Sequence, residues 1–291
     1  MIDVLVLNYN DPQSTIFFVK SVENFSIVRK ILIVDNCSTD DSYEKISAMS
    51  NKKIIVKKTD KNGGYGYGNN WGIRYLFKEY NSEYILLCNP DVVIVEDVIC
   101  KMECFLHDNV DYSIVSPFMC NANGERETKT AFKIPSKWEY IFSISIFWGK
   151  FIHSFNYASS DFNKSFFMDV GAVAGSLFLL RTEDMLKFGM FDENIFLYCE
   201  EVVLGKKLEG KGRKTALLTT STYIHNHSVS INKSYSSFLK RKFLLNESKL
   251  FVLKKYYKIN LLEKFIAFFL EMLNFVEIPL INIYINFLKK G

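Results

Sequence analysis

The sequence predicts an α/β fold with a mostly parallel sheet, on two observations of pattern and one of bulk. Short β-branched runs alternate with longer helix-like stretches through the first hundred residues, which is the pattern of βαβ units. Polar residues follow the first, second and fourth of these runs, at the carboxyl edge where such sheets bind ligands. In bulk, 291 residues, 48% hydrophobic and 23% charged with 5 prolines, supply a sizeable core. A disordered chain and a short disulfide-stapled scaffold are both excluded.

Strands are expected at residues 4–7, 30–34, 54–57 and 84–88. Crossover helices follow at 13–24, 41–50 and 69–80, with Thr39 and Asp40 as capping candidates before the second. The stretch 113–167, rich in aromatics such as Trp138, Tyr140, Phe142, Phe147 and Trp148, reads as a strand and then a substrate-facing insertion. The net charge of +4 is uneven: 11 basic and 4 acidic residues fall in 233–291, which leaves residues 1–232 at −3. The chain therefore divides into a catalytic body, 1–232, and a basic, amphipathic helical extension, 233–291. In that extension Lys240, Arg241, Lys242, Lys249, Lys254, Lys255 and Lys258 precede an apolar stretch in which Leu262, Phe265, Phe269 and Leu273 recur at helical spacing. Such a tail suits a membrane surface, packing on the body or a homodimer seam, and charges with Pro279 interrupt it too often for a span. Six irregularly spaced cysteines without a CxxC pair read as free thiols of a reducing compartment. The opening MIDVLVLNYN has no basic region followed by a long apolar stretch, so a cytoplasmic location is expected.

Five motifs carry chemistry. In IVDNCSTDDS, 33–42, Asp35 ends a buried strand, where a carboxylate can accept from the N–H of a pyrimidine base; Ser38 or Thr39 can equally cap a helix. NGGYGYGNNWGI, 62–73, lets the backbone approach a diphosphate, yet it lacks a Walker lysine and the dinucleotide spacing, and a plain glycine turn is the alternative. LLCNPDVVI, 86–94, sets Asn89 and Asp91 two apart on one edge, a donor pair suited to Mg2+ or Mn2+ shared with phosphate oxygens. Glu200 and Glu201 stand at the start of a helix, where the dipole favours an ionised carboxylate fit for a general base, or merely an acidic cap. HNHSVS, 225–230, adds His225 after a strand as a metal or phosphate ligand.

The ordered set VLNYN, VDNCSTDDS, NGGYGYGNNWGI, LLCNPD, GSLFLLR, FGMFDENIFLYCEE and HNHSVS resembles the family 2 glycosyltransferases, in particular their bacterial rhamnosyltransferase-like branch, over residues 1–258. The resemblance implies a GT-A fold, a nucleotide-sugar donor, a divalent cation and inversion at the anomeric carbon. It implies that Asp35 reads the base and that Asn62, Gly64, Asn69 and Asn70 line the donor loop, with Asn8 and Asn10 beside them. Asn89 and Asp91 fall at the DxD metal position, with His225 closing the metal and phosphate site, and Gly175 lets the backbone approach the substrate. Glu201 falls where the family carries the aspartate of its ED pair, with Glu200 beside it. Two departures are visible: the family pattern EDVDL is EEVVL here, residues 200–204, and the metal motif is NPD.

The implied reaction is one in-line displacement, in which a carboxylate takes the proton of an acceptor hydroxyl as it attacks sugar C1. The expected partners are a UDP- or dTDP-sugar and a glycan acceptor, lipid-linked at the inner face of the cell membrane; nucleic acid is not among them. Two alternatives stand beside it. A nucleotidyltransferase would want a basic glycine-rich stretch where this chain reads LNYNDPQS, and a catalytically impaired nucleotide-sugar-binding subunit would account for EEVVL.

Overall fold

The computed structural model describes residues 1–152, 155–163, 165–226 and 238–288. Strands and helices alternate as β1 (Ile2–Asn8), α1 (Pro12–Val22), β2 (Val28–Asp35), α2 (Ser42–Ser47), β3 (Ile54–Lys58), α3 (Gly64–Tyr80) and β4 (Tyr84–Cys88). Next come β5 (Val92–Val93), α4 (Glu96–Asp108), β6 (Tyr112–Cys120), β7 (Ala131–Phe132), α5 (Lys137–Phe142) and α6 (Ile146–Gly149). The chain continues through β8 (Phe167–Val170), β9 (Ala172–Val173), β10 (Leu177–Arg181), α7 (Thr182–Lys187), α8 (Glu200–Glu209), β11 (Lys214–His225), α9 (Phe238–Lys255) and α10 (Leu261–Leu288).

The main sheet runs β3-β2-β1-β4-β10-β6-β11-β5, with β8 along β11. Its first four strands are parallel, as crossover helices require. β10 enters antiparallel between β4 and β6, so the turn before β10 arrives at the same edge that β4 leaves. Alternation along β1 splits the core. Val4 and Val6 join Phe18, Val19, Met102 and Leu106 on one face, while Leu5 joins Ile73, Leu76 and Met185 on the other.

One expected loop is helix. α3 starts at Gly64, because its glycines let the helix lie directly on the sheet: a Cβ on Gly68 or Gly72 would come within 2.4 Å of a methyl of Leu7 or Leu5. The extension packs on the body, one of the alternatives left open for it, but not through the expected stripe. A third core joins Tyr140, Ile141 and Ile144 of the insertion, Ile195 and Val203 of the body, and Val252, Leu253, Ala267 and Leu270 of α9 and α10. Leu262, Phe265 and Phe269 do not join it; they are exposed, and only Leu273 of that stripe packs inward. Two of the expected surface cations are withdrawn from solvent, and a third is paired at the surface. Lys249 is buried and donates to the Ser143 carbonyl at 2.8 Å, burial pushes Lys242 down to about 8, and Lys255 pairs with Asp192 at 2.6 Å. The division after residue 232 lies outside the described residues, as does HNHSVS beyond Asn226. No described helix is long and apolar enough to cross a membrane, and all six cysteines are free thiols.

Candidate active site

Three loops at the carboxyl edge of β1, β2 and β3 are laced together by short polar side chains. Asn8 and Asp35 end paired parallel strands, and the Asn8 amide donates to Asp35 Oδ2 at 2.9 Å while accepting from Thr15 at 2.8 Å. The other Asp35 oxygen accepts from the Ser38 N–H at 2.9 Å. Asp35 is wholly buried, so in this conformation its carboxylate holds the 36–39 turn and presents no free edge to a base. Asn10 and Cys37, both in the left-handed region, turn the chain at this edge, and Asn10 bonds Thr39 through both ends of its amide at 3.1 and 2.9 Å. The Asp40 carboxylate accepts from the Ser42 N–H at 3.0 Å as α2 starts.

Asn36 ties this turn to α3, donating to Asn62 Oδ1 and to the Gly64 carbonyl, each at 3.0 Å. Gly64 has φ +86°, and a Cβ there would meet the Phe196 carbonyl at 2.3 Å, so glycine is required on both counts. Asn69 and Asn70, expected to line a donor loop, turn inward instead. Asn69 donates to the Tyr65 carbonyl at 3.0 Å within α3. The Asn70 amide clasps the Phe191 backbone, donating to its carbonyl at 3.0 Å and accepting from its N–H at 2.8 Å. Both fasten the rim.

The second half of the site is built on β4, β10 and β11. Asn89 extends the β4–β10 pairing by donating its N–H to the Ser176 carbonyl at 2.8 Å. Asp91 follows, and β5 pairs with the end of β11 so that His225 lies opposite Val92. This register brings His225 Nε2 to 3.2 Å from Asp91 Oδ1, two strand ends far apart in sequence. Ser176 also bonds the Tyr223 hydroxyl at 2.6 Å, which anchors β11 two residues before His225.

Gly175, beside Ser176, holds the carboxylate expected to act as base. Its N–H donates to Glu201 Oε1 at 3.2 Å, and its carbonyl accepts from the Tyr65 hydroxyl at 2.6 Å. A Cβ on Gly175 would stand 2.7 Å from Glu201 Oε1, so the glycine makes room for this carboxylate before any substrate. α8 begins after Tyr198 and Cys199, consecutive left-handed residues that aim its first turn at Gly175. Burial raises the pKa of Glu201, and it raises that of Glu200 well above the ordinary range, with the Glu201 charge adding to it. Desolvation thus opposes the helix dipole at both carboxylates, more strongly at Glu200. Glu200 is enclosed, with Oε1 buried and unbonded, whereas Glu201 reaches the sheet edge.

The mixed, mostly parallel sheet and its flanking helices agree with the known proteins this chain matches. A family model, Glycosyl transferase family 2, matches residues 3–173. The chain belongs to glycosyltransferase family 2. It is 25% identical over 238 residues to the low-salt glycan biosynthesis hexosyltransferase Agl10 of Haloferax volcanii, covering 81% of this chain and 71% of that one. It is also 25% identical over 228 residues to the rhamnosyltransferase WbbL of Escherichia coli, covering 72% of this chain and 82% of the relative. Among solved structures, GalNAc-T7 with UDP, GalNAc and Mn2+ superimposes with TM-score 0.61 at 14% identity, over 79% of this chain and 44% of that one. The fold is GT-A.

Within this family 2 glycosyltransferase, the Asp91–His225 pair offers a carboxylate oxygen and an imidazole nitrogen, a donor set that fits a hard divalent cation sharing its shell with phosphate. No group of three or more His, Cys, Asp or Glu side chains converges for a metal among the described residues. Phosphate oxygens and water would fill the remaining positions. Sequence reasoning placed Asn36 at the carboxyl edge without a role and missed Tyr65, Ser176 and Tyr223; together these four join the separate motifs into one site. Asn36, Tyr65 and Ser176 stand inside quoted motifs, but nothing local distinguishes a tyrosine that bonds Gly175 110 residues away.

Proposed function

We propose that this glycosyltransferase is an inverting hexosyltransferase that moves rhamnose or another hexose from a UDP- or dTDP-sugar to a glycan hydroxyl. The observation that carries the reading is the corner at Gly175 and Ser176, which holds Glu201 on one side and the strand ends bearing Asp91 and His225 on the other. The names of Agl10 and WbbL support the hexosyl and rhamnosyl classes.

Glu201 accepts the proton of the acceptor hydroxyl as that oxygen forms its bond to C1, and the C1–phosphate bond breaks on the opposite side. The proton ends on the Glu201 carboxyl, the electron pair leaves with the nucleoside diphosphate, and C1 inverts without a covalent enzyme intermediate. A pKa raised by burial makes the ionised carboxylate a stronger base, and the Gly175 N–H orients it. Asp91 and His225, with Asn89 beside them, would hold Mg2+ or Mn2+, which neutralises charge on the departing diphosphate. Asn10, Asn62 and the Gly64 backbone form the donor rim, with Asn8, Asp35, Asn69 and Asn70 bracing it from behind.

Val203, standing for the family's second aspartate, is buried in the third core, so EEVVL reads as a packing change that leaves Glu201 in place. In the cell the reading places the enzyme in cytoplasm, against the inner face of the membrane, building a surface polysaccharide on a lipid-linked acceptor. The extension makes the membrane contact and is also the surface available for a homodimer.

The test is a thermal-shift and turnover screen of UDP- and dTDP-hexoses with and without Mn2+. One donor is expected to raise the unfolding midpoint in a metal-dependent way. Asp91→Ala should abolish that dependence and turnover while the midpoint without ligand stays unchanged. Full turnover of Asp91→Ala with metal present overturns the site assignment, and donor hydrolysis or transfer by no sugar at all favours the impaired binding subunit.

A further inference from the structure

We infer that the 138–151 segment and α10 together form one composite face that docks on an anionic lipid surface, a role for the insertion that its sequence does not announce. The inference rests on the membrane reading above and extends it to a second, distant part of the chain.

α10 is packed inside out. Its polar residues face the protein: Glu263 is buried against Lys137, Asn274 donates to the Ile144 carbonyl at 3.1 Å, and Glu277 accepts from Ser145 Oγ at 2.6 Å and the Ile146 N–H at 2.8 Å. Each of these anchors grips the insertion. The outward positions are apolar instead, with Leu262 67%, Phe265 68%, Phe268 55%, Phe275 55% and Leu280 60% exposed. From Leu261 to Leu280 the only exposed charge is Lys264, over a length of about 30 Å. An ordinary surface helix buries its apolar stripe and shows its polar one, so this face is built for a non-aqueous neighbour.

The insertion continues that face. Because Glu277 and Asn274 hold α6 and the end of α5 against α10, the exposed rings of Trp138, Phe142, Phe147, Trp148 and Phe151 lie on elements packed against it. They form a chain of ring contacts, from Trp138–Phe142 at 6.0 Å through Phe142–Trp148 at 6.2 Å to Phe147–Phe151 at 5.3 Å. Exposed cations border the apolar surface. Lys264 is on α10 itself and Lys150 lies between Trp148 and Phe151, while the groove beside Phe243, whose ring meets Phe275 at 5.3 Å, holds Lys240 together with Glu247 and Glu271 and is not part of the cationic border. Tryptophan and lysine around an apolar centre match a bilayer boundary with anionic headgroups, where the ring sits at headgroup depth and the ammonium reaches phosphate. The charge on the face itself, Lys150 and Lys264 with no exposed carboxylate between Leu261 and Leu280, selects anionic lipid over a second copy of this chain, whose matching face would bring the same two cations together.

The experiment uses the full chain and vesicles of phosphatidylcholine with or without phosphatidylglycerol. The parent is expected to float with anionic vesicles. Combined Phe147→Ser, Trp148→Ser and Phe151→Ser should weaken partitioning about tenfold or more, as loss of several buried rings requires. The thermal midpoint should be unchanged, since these rings are exposed. Trp71→Phe, which leaves Trp138 and Trp148 as reporters, should lose emission on vesicles of brominated lipid. If the parent floats but the triple variant floats equally and no quenching occurs, the composite face is overturned and contact through the extension alone survives. If the parent does not float, both readings fall. A parent dimer that the triple variant converts to monomer, without flotation of either, assigns the face to a second copy and also overturns the inference.

Discussion

At the scale of single residues, Glu201 combines two demands that ordinarily conflict. A base must be ionised to work, and burial opposes ionisation; the Gly175 N–H offsets part of that cost by bonding the charged form. The group's pKa is raised above the ordinary 4.5, so the acid limb of kcat/KM is expected above the usual glutamate range, with activity rising as pH rises through it. Glu201→Gln should lower kcat by about two orders of magnitude or more, with donor affinity unchanged. A pH–rate series and donor titration check this. A crippled Glu200→Gln beside an active Glu201→Gln would exchange the roles.

At the scale of elements, the 190–199 turn that delivers α8 to the site is held by α9. Asp192 is buried, which pushes its pKa up, but bonds from Lys255 and Tyr256, each 2.6 Å, and from Asn194 outweigh burial and hold it at about 2. A carboxylate depressed on folding contributes stability that is fully present above its unfolded value of 3.8 and lost as pH falls through about 2. Asp192→Asn is therefore expected to cost about 1–2 kcal/mol at pH 7. It should also flatten the loss of stability between about pH 4 and pH 2. Urea unfolding at several pH values measures both, and parent-like stability at pH 7 would remove α9 from the support of this turn.

At the scale of the whole molecule, the third core decides how many folding units there are. Tyr140 and Ile141 from the insertion, Val203 from α8, and Val252, Leu253 and Leu270 from the extension bury one another, so none of these segments has a core of its own. Calorimetry of the full chain is expected to give one transition with equal calorimetric and van't Hoff enthalpies. Two separated transitions would instead show the extension unfolding apart from the body.

The alternation of strands and helices in the first hundred residues, the carboxyl edge as the place of chemistry and the family were all legible in the amino-acid order. Each depends on local patterns: period-two burial in β1, polar residues at strand ends, and motif order. Which side chains of those motifs turn inward to brace the loops became visible once the chain was folded. Asp35 after a hydrophobic run and Asn70 in the glycine-rich stretch both read as ligand-facing polar residues, yet each spends its hydrogen bonds on a neighbouring loop. Folding likewise decided that 62–73 is mostly helix, because the space above Leu5 and Leu7 that admits only glycine exists once β1 is in place. The outward face of α10 follows the same logic. Helical spacing marks which residues share a stripe, but Glu263, Asn274 and Glu277 found buried partners on the insertion, and those long-range bonds turned the apolar stripe to the outside.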